Sequence, residues 1–242
     1  MRSKHSLERN AQHSCHIGSA PFLDGVVVHD GRTGRLFQLN HTAAQVWRSL
    51  RDGHHEDAIV GSLATREAGE HFNRLIFMRP DGTYERYDKR HLFRMAHEHD
   101  HYTAGTRRVI VEIKGWKVRP LVCYDLRFPV WSRNRLGGED AYDVLLYVAN
   151  WPERRRYAWQ TLIKARAIEN LSYCIAVNCV GKDGNGINYS GDSAAIDYLG
   201  QPMTEASDRE FVTTATLDRA ALQAFRNKFP AHLDADEFQL SP

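Results

Sequence analysis

Apolar and polar positions along the chain change rhythm near residue 57. Before that point a polar lead gives way to Gly25-Val-Val-Val-His-Asp-Gly-Arg-Thr-Gly-Arg-Leu-Phe-Gln-Leu-Asn40. Two short β-rich runs there flank the Gly31 to Gly34 turn, the signature of a hairpin. From Asn40 the apolar residues Ala43, Val46, Trp47 and Leu50 recur at helical spacing until Asp52-Gly53 stops them, and a second helical stretch is predicted from about Glu56 through Leu63. From Ile59 onward the pattern is that of a layered α/β protein. Strands are predicted at 73–78, 109–113, 120–124, 144–149, 173–178 and 193–198, with a helix at 158–171. Pro80-Asp-Gly82 and Leu199-Gly-Gln-Pro202 have the chemistry of turns. The reading divides the chain into a small segment, 1–57, and a larger α/β domain, 58–242.

Composition narrows the field. The 242 residues are 42% apolar, enough for a sizeable core, and carry 32 basic against 30 acidic side chains. That balance gives no general attraction to nucleic acid or to an anionic membrane. Neither a membrane-spanning apolar stretch nor a secretory leader is evident, so the expectation is a soluble, cytoplasmic protein. Cys15, Cys123, Cys174 and Cys179 are few and irregularly spaced, which favours reduced thiols and shows no zinc-type Cys-x-x-Cys pattern.

The chemistry concentrates on Cys123, where the apolar strand of Arg119-Pro-Leu-Val-Cys-Tyr-Asp-Leu-Arg-Phe-Pro129 ends on a thiol. Tyr87-Asp-Lys-Arg-His-Leu-Phe93 supplies Lys89, and His97-Glu-His-Asp-His-Tyr102 supplies Glu98. A thiol attacks a carbonyl well only as thiolate, so it needs a nearby cation or base. Lys89 can serve by charge and, with the backbone N–H of Tyr124, can stabilise an oxyanion. Asp125 and Arg127 read as a structural pair that fixes the turn. Cys174 and Cys179 read as core thiols. The alternation of His97, His99 and His101 would place three imidazoles on one side of a strand, but no further ligands accompany them, so no metal is assigned. Arg154-Arg-Arg156 is a basic run bordering a site mouth or capping a helix, with anion recognition as its other use.

Together Tyr87-Asp-Lys-Arg-His-Leu-Phe93, Leu121-Val-Cys-Tyr-Asp-Leu-Arg-Phe-Pro129 and Val148-Ala-Asn-Trp-Pro152 resemble the nitrilase, or carbon–nitrogen hydrolase, superfamily, and within it the bacterial ω-amidase branch, from about residue 58 to the C-terminus. The resemblance implies a four-layer αββα sandwich that pairs as a homodimer, with no cofactor. It implies Cys123 as nucleophile, Lys89 as its partner, Glu98 as the supporting glutamate, and Asn150 and Trp151 as the wall of the acyl pocket. The implied substrates are small ω-amides of 2-oxo dicarboxylates, hydrolysed through a thioester. The family also uses a general-base glutamate upstream of the lysine, on an early strand and usually after proline. Here the sole Pro-Glu dipeptide is Pro152-Glu153, and Glu56, Glu67 and Glu70 are the nearest upstream candidates, the last two on a polar hairpin tip. The domain is therefore expected to lack its first strands and first helix, with activity impaired. The first segment resembles the small peptide-binding chaperone of the pyrroloquinoline quinone pathway through its strand pair, Leu39-Asn-His-Thr-Ala43 and the helix that follows. An alternative of another class is an inactive hydrolase remnant, or a fusion, whose N-terminal segment binds a peptide.

Overall fold

The computed structural model describes residues 17–22, 25–30, 35–39, 59–79, 81–204 and 207–240. Near the N-terminus, β1 (Ile17–Phe22), β2 (Gly25–Asp30) and β3 (Arg35–Leu39) form an antiparallel sheet in that order. β2 and β3 pair as the expected hairpin strands, with Asp30 opposite Arg35; the Gly31 to Gly34 turn itself lies outside the described residues. β1 is a third strand drawn from what the sequence reads as a polar lead. The helix predicted from Asn40 lies outside the described residues.

β4 (Ile59–Glu67), β5 (Glu70–Met78) and β6 (Tyr84–Asp88) make a second antiparallel sheet. This corrects the helix predicted through Leu63, since Ile59 to Leu63 run as strand. The cause is the turn: Ala68 and Gly69 both take positive φ, 51° and 89°, the conformation that closes a two-residue hairpin. That turn sets the register from Glu67 opposite Glu70 back to Ile59 opposite Met78, and pairing over this length overrides a short helical spacing. Gly82, at φ 82°, turns β5 into β6 where Pro-Asp-Gly predicts it.

After β6 come α1 (Glu98–His101), β7 (Val111–Ile113), β8 (Trp116–Val122), α2 (Pro129–Ser132), β9 (Val144–Ala149), α3 (Arg156–Asn170), β10 (Tyr173–Asn178), β11 (Val180–Lys182), β12 (Asn188–Ser190), β13 (Ala194–Ile196) and α4 (Arg219–Lys228). The main sheet has the order β13-β10-β9-β8-β7, with β8, β9 and β10 parallel and both edge strands antiparallel. Val118 through Val122 are all buried, as a central parallel strand covered on both faces requires. β5 lies against β8 and β4 against β9, while α3 packs on β10 and β13. Trp159, Ile163 and Ala167 give α3 its buried stripe, and Leu171, at φ 47°, ends it. Sheet on sheet with a helix layer is the α/β class the sequence leads one to expect. Among the described residues no helix is long and apolar enough to cross a membrane.

Candidate active site

The C-terminal ends of β8, β9 and β10 carry the chemistry, the usual place in a parallel sheet. Cys123 comes directly after β8 and opens a tight turn, Cys123–Arg127, so the predicted strand stops two residues early. Its φ is +43°, a left-handed conformation that costs a non-glycine residue about 1–2 kcal/mol and must be held by its surroundings.

Asp125 does most of the holding. Fully buried, it accepts from the N–H of Val122 (3.1 Å) and the hydroxyl of Tyr87 (2.7 Å) on one oxygen. On the other it accepts from the N–H of His91 (3.0 Å), with His91 Nδ1 at 2.8 Å. The Tyr87 hydroxyl in turn accepts from Trp131 Nε1 (2.9 Å), and the His91 ring stacks on Phe128 at 3.8 Å. From α3, buried Arg166 donates to the carbonyl of Leu126 at 2.6 Å. Asp125 thus fixes the turn as expected, but through Tyr87 and His91. The predicted pairing with Arg127 is replaced by a contact of that guanidinium over the Trp151 ring, 5.1 Å from its centre.

Lys89 follows β6 and is 2% exposed. Its backbone is held on both sides, the N–H by the Asn73 carbonyl (2.9 Å) and the carbonyl by Gly105 N–H (3.0 Å). Gly105 has to be glycine for this approach, because a Cβ there would lie 2.0 Å from the Asp88 carbonyl oxygen. Lys89 Nζ donates to Glu98 Oε2 at 2.6 Å, and the N–H of Phe93 donates to the same oxygen at 2.7 Å. A buried ammonium and a half-buried carboxylate therefore form a pair within electrostatic reach of the thiol.

Burial pushes the half-buried Cys123 thiol above its ordinary pKa, the Lys89 ammonium and a contact with the Asn150 carbonyl oxygen (3.8 Å) pull it back, and Glu98 and Asp125 oppose them. Asn150 and Trp151 follow β9, the strand next to β8, and the Asn150 carbonyl is the group that meets this thiol. Trp151 is positioned by Asn178, at the end of β10: the Trp151 N–H donates to Asn178 Oδ1 (2.7 Å) and Asn178 Nδ2 donates to the Trp151 carbonyl (3.1 Å). Asn178 is a positioning residue that sequence reasoning missed. Its one signal was a buried polar side chain at the end of a predicted strand. Tyr124 packs its ring edge-on against Phe93 and Phe128, with centroids 4.9 and 5.1 Å apart.

Other candidates go elsewhere. Glu67 is taken by Arg74 (2.7 Å) and Arg86 (2.6 Å), and Glu70 by the Thr103 hydroxyl. Glu56 lies outside the described residues. Cys174 is fully buried and, without solvent, its thiol is pushed up to about 12, as suits a core residue. Cys179 is half-buried rather than deep in the core, and burial likewise raises it to about 12. His97 has φ 55°, and His99 and His101 lie on α1, so the one-sided strand arrangement does not arise. Among the described residues no group of three or more His, Cys, Asp or Glu side chains is placed to hold a metal ion.

A thiol presented by a left-handed turn at the end of a parallel sheet, with a buried lysine paired to a half-buried glutamate within its electrostatic reach, is the arrangement that nucleophilic cysteine chemistry on a layered α/β frame requires. The chain belongs to the carbon–nitrogen hydrolase family, whose model matches residues 48–227, starting inside the segment that the sequence reading set apart. It is similar to the omega-amidase YafV of Escherichia coli K12, 50% identical over 195 residues that span 80% of this chain and 75% of that protein. It is also similar to the 2-oxoglutaramate amidase of Bacillus subtilis strain 168, 31% identical over 88% of this chain and 78% of the relative. Among solved structures, a carbon–nitrogen hydrolase superfamily protein of Xanthomonas campestris, crystallised with an arsenic adduct in its active site, shares 54% identity and superposes with a TM-score of 0.74 over 76% of this chain and 71% of its own.

Proposed function

We propose that this chain is an ω-amidase-type hydrolase of small 2-oxo dicarboxylate monoamides, acting through a thioester on Cys123. The observation that carries the reading is the Lys89–Glu98 pair, its lysine buried, within electrostatic reach of a thiol held at positive φ. In this scheme the Cys123 sulfur attacks the amide carbon. The Lys89 ammonium and the Tyr124 N–H stabilise the developing oxyanion. The thiol proton passes to the leaving nitrogen, ammonia departs, and water hydrolyses the thioester to the acid, with Glu98 as the carboxylate available for both proton transfers. Asn150 and Trp151 wall the acyl group. The names of the relatives support the substrate class.

Glu98 already accepts two hydrogen bonds, and the thiol's polar contact is the Asn150 carbonyl rather than a carboxylate. We therefore propose that a domain lacking the family's upstream glutamate forms the thioester faster than it clears it. Ammonia release from 2-oxoglutaramate, measured beside Cys123→Ala, tests the function. An ammonia burst that depends on Cys123, with a thioester visible by intact mass, is the expected result. A folded sample giving neither ammonia nor adduct would sink it. The second reading, a hydrolase remnant whose N-terminal segment binds peptide, is favoured by the β1-β2-β3 sheet, whose outer strands could accept an added strand. It calls for peptide affinity without ammonia.

A further inference from the structure

We infer that Arg155 is the carboxylate-binding residue of this site: its guanidinium, laid on Phe93 next to Tyr124, takes the distal carboxylate of an acyl group attached at Cys123. The preferred substrates are then monoamides of short dicarboxylic acids rather than neutral amides. The identity of the reaction rests on the ω-amidase-type reading; the carboxylate site does not.

The three arginines after Pro152 have three different surroundings. Arg154 is exposed. Arg156 closes a forked ion pair on buried Asp192, at 2.7 and 2.8 Å. Arg155 is half-buried, and among the described residues no carboxylate pairs with it. Its backbone is fixed from both sides: its N–H donates to the Pro152 carbonyl (2.9 Å), and its carbonyl accepts from Trp151 Nε1 (2.9 Å). The side chain therefore springs from backbone tied to the Trp151 indole. Its guanidinium carbon lies 4.9 Å from the centre of the Phe93 ring. Phe93 in turn packs on Tyr124, the residue after the nucleophile, and its N–H holds Glu98. A guanidinium stacked on one face keeps its planar fork open at the edge, the geometry that a carboxylate matches.

Electrostatics point the same way. Burial, Arg154 and Arg127 all weaken the hold of Arg155 on its proton, whereas the Cys123 thiolate, within electrostatic reach, strengthens it. A half-buried cation among like charges has most to gain from an incoming anion.

Alkylation of Cys123 by iodoacetate and by iodoacetamide tests this without requiring turnover. Both reagents form a sulfur–carbon bond and expel iodide; they differ in carrying a carboxylate or an amide. Any effect of Arg155 on thiolate formation acts on both rates and cancels in their ratio. The iodoacetate-to-iodoacetamide ratio is expected to fall on the order of tenfold in Arg155→Gln, the loss of one charge-assisted pair. Arg155→Lys should restore much of it, and Arg154→Gln should leave it within about twofold, as for an exposed charge. An unchanged ratio in Arg155→Gln, or an equal drop in Arg154→Gln, overturns the assignment. Should Arg155→Gln not fold, protection of wild-type Cys123 from iodoacetamide decides: protection by glutarate and not by pentanamide supports the site, and equal protection by both overturns it. A ratio that falls as expected in Arg155→Gln, with no ammonia from 2-oxoglutaramate, would remove the ω-amidase reading and leave the carboxylate site standing.

Discussion

Replacing Asp125 by Asn keeps the shape of the side chain and removes two of its acceptor positions. Four groups surround the carboxylate: Val122 N–H and the Tyr87 hydroxyl on one oxygen, His91 N–H and Nδ1 on the other. An amide can turn its oxygen to one pair only, and its NH2 then faces the other pair, in which His91 Nδ1 can accept by a change of tautomer. The Tyr87 hydroxyl has little freedom to turn and accept, because it already accepts from Trp131 Nε1 and lies 3.3 Å from Arg90 N. One or two hydrogen bonds to a charged group are lost at about 1.5–3 kcal/mol each, so the change should cost about 1.5–6 kcal/mol. That is a large part of the roughly 5–15 kcal/mol that keeps a domain folded, and at about 2–4 °C per kcal/mol it lowers the melting midpoint by on the order of 10 °C. The chemistry should suffer too, since Cys123 stays at φ +43° only while the turn is clamped. Iodoacetamide alkylation of Cys123, followed by mass spectrometry below the new midpoint, should slow. Tyr87→Phe, which removes one donor, gives the same effects at about 1–2 kcal/mol if the full replacement does not fold. A loss of stability under about 1 kcal/mol in Asp125→Asn with an unchanged alkylation rate would refute the clamp.

Because burial raises the Cys123 thiol and Lys89 opposes that rise, alkylation should increase with pH to a midpoint above the ordinary thiol value, and Lys89→Met should move the midpoint further up; a midpoint unmoved by Lys89→Met would separate the two groups. Gly105→Ala forces the chain off Asp88 and loosens the Lys89 carbonyl, with an expected cost of about 1–3 kcal/mol in urea unfolding; a neutral result would mean the loop yields without strain. Hydrogen bonds from Arg86 and then Arg74 hold Glu67 at about 2, below its unfolded value of 4.5. Its stabilisation is thus complete above about pH 4.5 and lost as pH falls through 2. Glu67→Gln should cost about 1–2 kcal/mol at pH 7, allowing for partial exposure, and the gap to wild type should close in acid; a gap independent of pH would rule the ion pairs out as its cause.

The parts legible in the sequence are those coded by neighbours along the chain. The strand ending on Cys123, the turn at Gly82 and the helix stopped near Leu171 each depend on residues within a few positions. What escaped reading depends on distant partners. Asp125 meets Tyr87 and His91 across 38 and 34 residues, and Asn178 meets Trp151 across 27. From sequence, Arg127 two residues on was the natural partner for Asp125, yet the fold gives that carboxylate Tyr87 and His91 and lays the arginine on an indole. The same limit explains β4: a five-residue helical spacing from Ile59 is outweighed by a hairpin whose closing turn, at Ala68 and Gly69, lies beyond it. The upstream glutamate had to be sought outside the window in which motifs are local, and Glu67 and Glu70 prove to be committed to Arg74, Arg86 and Thr103.

Within the site, positioning and proton handling are built from different residues. Asp125, Tyr87, Arg166 and Asn178 hold the Cys123 turn and the Trp151 backbone through hydrogen bonds that are no part of the proposed scheme. In the proposed scheme proton transfer falls to Glu98, whose Oε2 is occupied by Lys89 and Phe93. A fixed thiol with a neighbouring ammonium suffices for attack on a reactive electrophile, because such a leaving group departs without a proton. An amide needs its nitrogen protonated before ammonia can leave, so it draws on the scarcer resource. Reactivity toward alkylating agents and turnover of amides should therefore part company: changes at Asp125 reduce both, whereas Glu98→Gln, if Glu98 carries the proton, should abolish ammonia release while leaving alkylation within a few-fold of wild type. Equal loss of both in Glu98→Gln would make that carboxylate a structural anchor for Lys89 and return the search for the base to residues beyond this pair.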